Sequence, residues 1–272
     1  MSTPDQQPTS VYNFDRVAHE YEVTRFIPGV IADRVAEQVT QGMAPNDWLL
    51  EAGIGTGRIG RALLRQHART TGIDISQAML SYLRTAHGET TGPLPLALAD
   101  VRALPFASES FQTVLAVHVL HLVSEWERAL QEMWRVLPVG GRLILGVEDR
   151  SASAIREYFF ARAAERFALP ENSGGAHSSQ VVTALRDQGV PVEERRLPEL
   201  GWTRSVSAAE TLDLLQRRTY SILWKVADSV LTPLLEETRR WTIIRYGTTD
   251  LTRVIEPIDF QMVLFVAIKQ AP

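Results

Sequence analysis

Three carboxylates each close an apolar run: Glu51 in WLLEA (48–52), Asp74 in ARTTGIDIS (68–76) and Asp100 in LPLALAD (94–100). Between the first two lie Gly53, Gly55, Gly57 and Gly60, four glycines within eight residues. Glycines at 53, 55 and 57 remove side chains where a strand would turn into a helix, so the chain can take positive φ and let a ligand touch backbone. Two histidines, His118 and His121, follow a fourth apolar run and are the groups by position suited to exchange a proton. As HxxH they also spell half a metal site, but no third ligand has matching spacing and the chain has no cysteine, so no metal is expected.

Three ligand classes use such a loop. A P-loop needs Lys and then Ser or Thr after the last glycine, and here Arg58 and Ile59 follow Gly57. A dinucleotide site is spelled letter for letter by Gly55-Thr-Gly57-Arg-Ile-Gly60, and Asp74 lies near the distance at which an acid meets a ribose. Glu51 opposes that reading, because a carboxylate aimed into the loop repels a pyrophosphate. Acids ending three consecutive strands predict a negative crevice at the carboxyl edge of a sheet, where open α/β sheets bind ligands. S-adenosylmethionine, cationic at its sulfonium and amine and free of phosphate, suits it. No second nucleotide-binding half follows. An NAD-dependent oxidoreductase and an S-adenosylmethionine-binding protein without transferase activity remain the alternatives.

The elements that must carry these groups alternate. Strands are expected at 48–52, 68–76, 94–100, 110–119 and 142–149, and helices at 58–66, 76–87 and 125–137, with Ser76 as an N-cap. Short loops between them predict a parallel sheet with helices on both faces. Residues 11–41 carry two short helices broken at Pro28-Gly29, with Val17, Tyr21, Val30, Ile31, Val35 and Val39 inward. After Asp149 the pattern turns helical at 152–168, 178–188 and 207–246, where Pro233 is expected to break or kink the helix. Segments 192–206 and 258–270 read as extended.

The 272 residues can bury a full core, as one large domain or one domain with an insertion. A net charge of −4 leaves no overall basic footprint, so no nucleic acid is expected as partner. The absence of cysteine excludes disulfides and thiol nucleophiles. The first ten residues read as a disordered tail without a signal pattern, and no apolar run approaches a membrane span. A cytoplasmic enzyme is the expectation.

WLLEAGIGTGR resembles the first motif of class I S-adenosylmethionine-dependent methyltransferases, of the small-molecule, methyltransferase-domain-11 type. GIDISQAML (72–80), LALADVRALPFASESFQTVLAVHVLHLV (96–123) and RVLPVGGRLIL (135–145) resemble the motifs that follow it, in order, over residues 14–150. The resemblance implies a doubly wound, mostly parallel seven-stranded sheet, with S-adenosylmethionine as cofactor and S-adenosylhomocysteine as product. It implies that Glu51 contacts the cofactor's amino group and that Gly53, Gly55 and Gly57 pack on its methionine and ribose portions. Asp74 would take the ribose hydroxyls, Ile75 and Met79 would flank the adenine, and Asp100 with the Val101 backbone would read the exocyclic amine. Val117 and His118 would lie beside the methionine, with His118 the candidate catalytic base. FDRVAHEYEVTR (14–25) is similar to the family's leading helix, which implies Tyr21 and Arg25 at the cofactor carboxylate; an ordinary amphipathic helix is the alternative. Gln112 stands where the family has Asp, at the far end of strand four, which touches packing rather than the ligand.

On that frame, 192–199 and 258–270 become strands six and seven of a domain spanning 11–204 and 251–272, with core motifs 48–149. Residues 205–250 become a helical cap insertion, joined by helix 152–168. The arginine pairs at 195–196, 217–218 and 239–240 would either gather round an anionic substrate or be solvated faces. Trp202, Tyr220, Trp224, Trp241, Phe159 and Phe160 would either line a pocket or build core. A small-molecule acceptor under the cap is the expected partner, and Gly174-Gly175 and Gly247 are candidate hinges.

Overall fold

Runs such as LLEA and TVLAV are buried at every position, the mark of strands covered on both faces. A computed structural model describes residues 27–67, 69–85, 95–166, 175–224 and 226–271. In chain order it contains α1 (Gly29–Thr40), β1 (Leu49–Ala52), α2 (Gly60–Gln66), β2 (Thr70–Asp74), α3 (Gln77–Thr85), β3 (Leu96–Leu98), β4 (Thr113–Val117), α4 (Trp126–Arg135) and β5 (Arg142–Arg150). Then come α5 (Ala154–Arg166), α6 (Ser178–Asp187), β6 (Val192–Arg195), β7 (Gly201–Ser207), α7 (Ala208–Gln216), α8 (Asp228–Tyr246) and β8 (Ile255–Ile268).

The sheet order is β3-β2-β1-β4-β5-β8-β6, with β7 also paired to β8. The first five strands are mutually parallel and β8 runs antiparallel to β5. The expected sixth strand is interrupted by a 3₁₀ turn at Pro198–Leu200, and its two halves, β6 and β7, both pair with β8. Proline cannot donate to a ladder, so eight strands replace the seven expected.

Register separates two cores. On one face Ile31, Val35 and Leu63 of α1 and α2 pack with Leu115, Ile144 and Leu264. On the other, Ala129, Met133, Val181 and Leu185 of α4 and α6 pack with Val114, Leu143 and Ala267. Within α1, Val30 is 56% exposed, because it lies just outside the stripe formed by Ile31, Ala32, Val35, Ala36 and Val39.

Beyond the carboxyl edge, α5, α7 and α8 share cores of their own, one around Phe159, Leu215, Leu231 and Leu234 and one around Ile155, Leu212 and Leu251. The break in the 207–246 region falls at 217–227 and not at Pro233. Arg218, at φ 54°, ends α7 with Arg218 N–H donating to Leu215 O and Thr219 N–H to Leu214 O, a Schellman pattern. Pro233 sits inside α8, early enough that the ladder forgoes one bond near its start and continues to Tyr246. No helix among the described residues is long and apolar enough to cross a membrane.

Candidate functional site

β1 delivers Glu51 to the floor of the glycine loop. Glu51 is 3% exposed, and its Oε2, about 2.6 Å from where a Cβ on Gly60 would stand, has no hydrogen-bond partner. Burial pushes its carboxyl up to about 8; Asp74 adds to the rise, while Arg58 and Arg61 oppose it. Above it, Gly53, Gly55 and Gly57 all take positive φ. A side chain at Gly53 would collide with Val119 at 2.4 Å, whereas the Cβ direction of Gly55 opens into free space. One glycine therefore lets the loop pack, and the other leaves room over the backbone for a ligand.

Asp74, ending β2, fastens this loop to the next strand. Its two oxygens accept from Gly55 N–H and Ser76 N–H, each at 2.8 Å. Ser76 Oγ in turn accepts from Met79 N–H at 3.2 Å, which places the N-cap as expected. Met79 is buried, and Ile75 is 43% exposed. Val101 is buried nearby in the chain after β3.

Asp100 is fully engaged. Arg102 donates to it from the backbone N–H at 2.8 Å, from Nε at 3.1 and 3.0 Å and from Nη2 at 2.7 Å, and its Nη1 reaches Glu125 at 2.6 Å. Burial raises the Asp100 carboxyl, but these bonds outweigh burial and hold it below the usual carboxylate range.

β4 ends at the buried Val117, and His118 follows at φ 54°, held by its N–H donating to Gly146 O at 3.1 Å. A non-glycine residue in the left-handed region is uncommon, and such strain gathers at functional positions. The His118 and His121 rings meet edge to face, 6.2 Å between centroids. Gly175 presses on this turn: a Cβ there would stand 2.3 Å from the Leu120 and His121 backbone, so it is a close-approach glycine in a docked segment. Tyr21 and Arg25 lie outside the described residues.

The three acids thus do not form a uniformly negative crevice. Burial holds the Glu51 carboxyl well above the usual carboxylate range, Asp100 is paired with Arg102, and Arg58 and Arg61 stand close enough to the loop to act on Glu51. Burial and local pairing decide charge, and neither is visible in residue type alone. The groups still fit a ligand with an ammonium, a vicinal diol and a purine. Glu51 Oε2 is a buried acceptor without a donor, and Asp74 sets a carboxylate at the edge of the loop. An amine reaching Asp100 has to displace or share Arg102. Sequence reasoning does not single out Arg102; its position two residues after Asp100 is the signal that could have found it.

The arginine pairs at 195–196 and 217–218 do not converge. Arg195 pairs with Glu193, Arg196 with Asp149, Arg217 with Asp213 and Arg218 with Asp228. Phe159 is core, Trp202 stacks on Phe260, Trp241 stacks on Tyr158, and Trp224 donates to Arg218 O. Of the expected aromatics, Tyr220 lines a cleft, which opens beside Glu148 and Arg150 at the end of β5.

The sequence pattern of a methyltransferase domain matches residues 50–145. A demethylmenaquinone methyltransferase of Mycobacterium sp. (strain KMS) is 28% identical over 214 residues, 75% of this chain and 90% of that protein. One from Tropheryma whipplei (strain Twist) is 35% identical over 136 residues, 48% of this chain and 56% of that protein. In fold, the Haemonchus contortus phosphoethanolamine N-methyltransferase 2, solved with phosphomonomethylethanolamine and S-adenosylhomocysteine, superposes with a TM-score of 0.53 at 16% identity, over 94% of this chain and 58% of that one.

Proposed function

We propose, for a chain that belongs to the class I S-adenosylmethionine-dependent methyltransferases, that the methyl acceptor is a small molecule entering beneath the α5–α7–α8 cap. When bound, S-adenosylmethionine supplies an electrophilic methyl group. Glu51 would hold its amino group, Gly53, Gly55 and Gly57 its methionine and ribose, Asp74 the ribose diol, and Ile75 and Met79 the faces of its base. Asp100 and the Val101 backbone would hold the adenine amine once Arg102 turns aside. Val117 and the left-handed His118 stand where the methionine end meets the acceptor, and the His118 ring is the candidate base for an acceptor that must lose a proton. Tyr21 and Arg25, in the segment preceding α1, are assigned to the cofactor carboxylate.

The observation that carries the cofactor reading is the loop itself: three left-handed glycines, tied down by Asp74, over a buried carboxylate that lacks a donor. The small-molecule reading is supported by the cleft under the cap and by relatives named for demethylmenaquinone and for a quinone C-methylation. Calorimetry with S-adenosylhomocysteine tests the cofactor reading. Wild-type protein is expected to bind saturably and Asp74→Ala is not; equal binding by both would overturn the assignment.

A further inference from the structure

The first parallel strands carry the cofactor loop, but β5 runs on past them. Its residue Gly146 pairs with Val117, and Glu148 and Arg150 project beyond the edge. Glu51 pairs with Leu115, and Leu115 with Ile144. Side chains alternate along a strand, so Ile144, Glu148 and Arg150 stand on the same face as Glu51. There Glu148 and Arg150, together with residues of α5, β7, α7 and β8, line a cavity of about 50 Å³.

The lining of this cavity divides into two kinds of surface. Leu214, Val206, Ile258 and Phe260 are apolar, while Arg150, Arg156 and Arg204 bring three guanidinium groups. Arg150 lies 3.6 Å from Glu148, which is 5% exposed, and Arg204 pairs with Glu210. Arg156, in the first turn of α5, has no carboxylate partner among the described residues; its Nη2 donates to Ser151 O at 3.4 Å. Of the three guanidinium groups that line the cavity, Arg156 is therefore the one not engaged by a carboxylate; Glu256, behind the lining Ser153, accepts from the Ser153 hydroxyl at 2.7 Å. A single water needs about 10–15 Å³ of such space, so this cavity holds a few water-sized groups: the volume of an ionic head group and less than that of a ring system. Guanidinium forks bind planar and tetrahedral oxyanions bidentately.

We propose that this cavity is a subsite for an anionic head group, carboxylate or phosphate, of an elongated methyl acceptor. Arg156 supplies the unpaired charge and Arg150 assists, while the apolar wall receives the adjoining chain. Four residues of β5 separate Arg150 from Gly146, beside the His118 turn, which is roughly 13 Å at strand rise. The acceptor's reacting atom is therefore about that far from its anionic end. This inference rests on the small-molecule acceptor reading.

The test uses full-length protein loaded with S-adenosylhomocysteine, titrated calorimetrically with decanoate, decyl phosphate, decanol and inorganic phosphate. At least one tailed anion is expected to bind saturably and at least tenfold tighter than decanol, and the tighter of the two identifies the head group. Arg156→Gln is expected to weaken that anion tenfold or more, with Arg156→Lys recovering part of the loss. S-adenosylhomocysteine affinity, measured on the same samples, stays within twofold and reports that the variants are folded. Decanol binding as tightly as the anions, or an unchanged affinity in Arg156→Gln, overturns the subsite. Inorganic phosphate binding as tightly as the tailed anions makes it a free-anion site and overturns the acceptor assignment. Failure of the wild-type protein to bind S-adenosylhomocysteine overturns the underlying cofactor reading instead.

Discussion

Glu51 is the residue at which burial, charge and ligand chemistry meet. Its carboxyl is raised from 4.5 to about 8, so between those values the folded protein holds a proton that the unfolded chain releases. Folding stability of the ligand-free protein therefore falls as pH rises through that window. A tenfold change in proton affinity is worth about 1.4 kcal/mol, so the fall amounts to a few kcal/mol for so buried a group. Glu51→Gln removes this dependence and is expected to melt higher than wild type at pH 8.5 but not at pH 5. A ligand ammonium beside Glu51 favours its ionised form, with Arg58 and Arg61 acting in the same direction and Asp74 against. S-adenosylhomocysteine binding is thus expected to tighten as pH climbs toward 8 and to release a proton below it. Calorimetry in buffers of unlike ionisation enthalpy reads that proton, and a heat independent of buffer would count against the role. His118 makes a second residue-scale prediction. Asn tolerates the left-handed backbone but cannot accept and pass on a proton, so His118→Asn is expected to lower kcat by about 10²–10⁴-fold, with unchanged S-adenosylhomocysteine affinity. A kcat within twofold of wild type would remove His118 as base.

At the scale of elements, the turns that follow β1 and β4 show how the two loops differ. The β1 loop is shaped by glycines that leave open space above Gly55, and the β4 turn is braced from outside by the segment at Gly175. Gly175→Ala would set a methyl group against backbone that cannot rotate away. Overpacking of this kind costs roughly 1–3 kcal/mol, so the melting temperature is expected to fall by several degrees. A melting point equal to wild type would mean that the segment lifts off freely, as a hinge does. The same scale explains Pro233 and Pro198. One lies early in a helix that can forgo a bond, the other between two strand halves where no ladder bond can be made.

The whole molecule joins two kinds of core. The sheet and its flanking helices build a core on each face, whereas α5, α7 and α8 bury Phe159, Leu215 and Leu234 largely among themselves. Damage to one core should therefore spare the other. Phe159→Ala leaves a cavity costing roughly 3–5 kcal/mol. Hydrogen exchange is expected to quicken across 154–166 and 208–246 while the β1–β5 amides stay protected, with S-adenosylhomocysteine affinity retained. Uniform loss of protection would show a single cooperative unit.

The sequence alone determined what depends on local pattern: the alternation of strands and helices, the parallel half of the sheet, the glycine loop and the acids Glu51 and Asp74 at its border. Apolar period, turn residues and ordered motifs are short-range properties and can be read along a chain. Only the tertiary structure decided what depends on which surfaces meet. It showed Glu51 without a donor, Asp100 held by Arg102, the arginine pairs at 195–196 and 217–218 engaged by carboxylates, and Arg156 left over beside a cavity. Desolvation is set by contacts between elements distant in sequence, as when β5, β7, β8 and the cap line one small cavity, and even a near neighbour such as Arg102 reaches Asp100 only through the backbone turn that the fold imposes, so a charge counted along the chain acquires its value only in the fold.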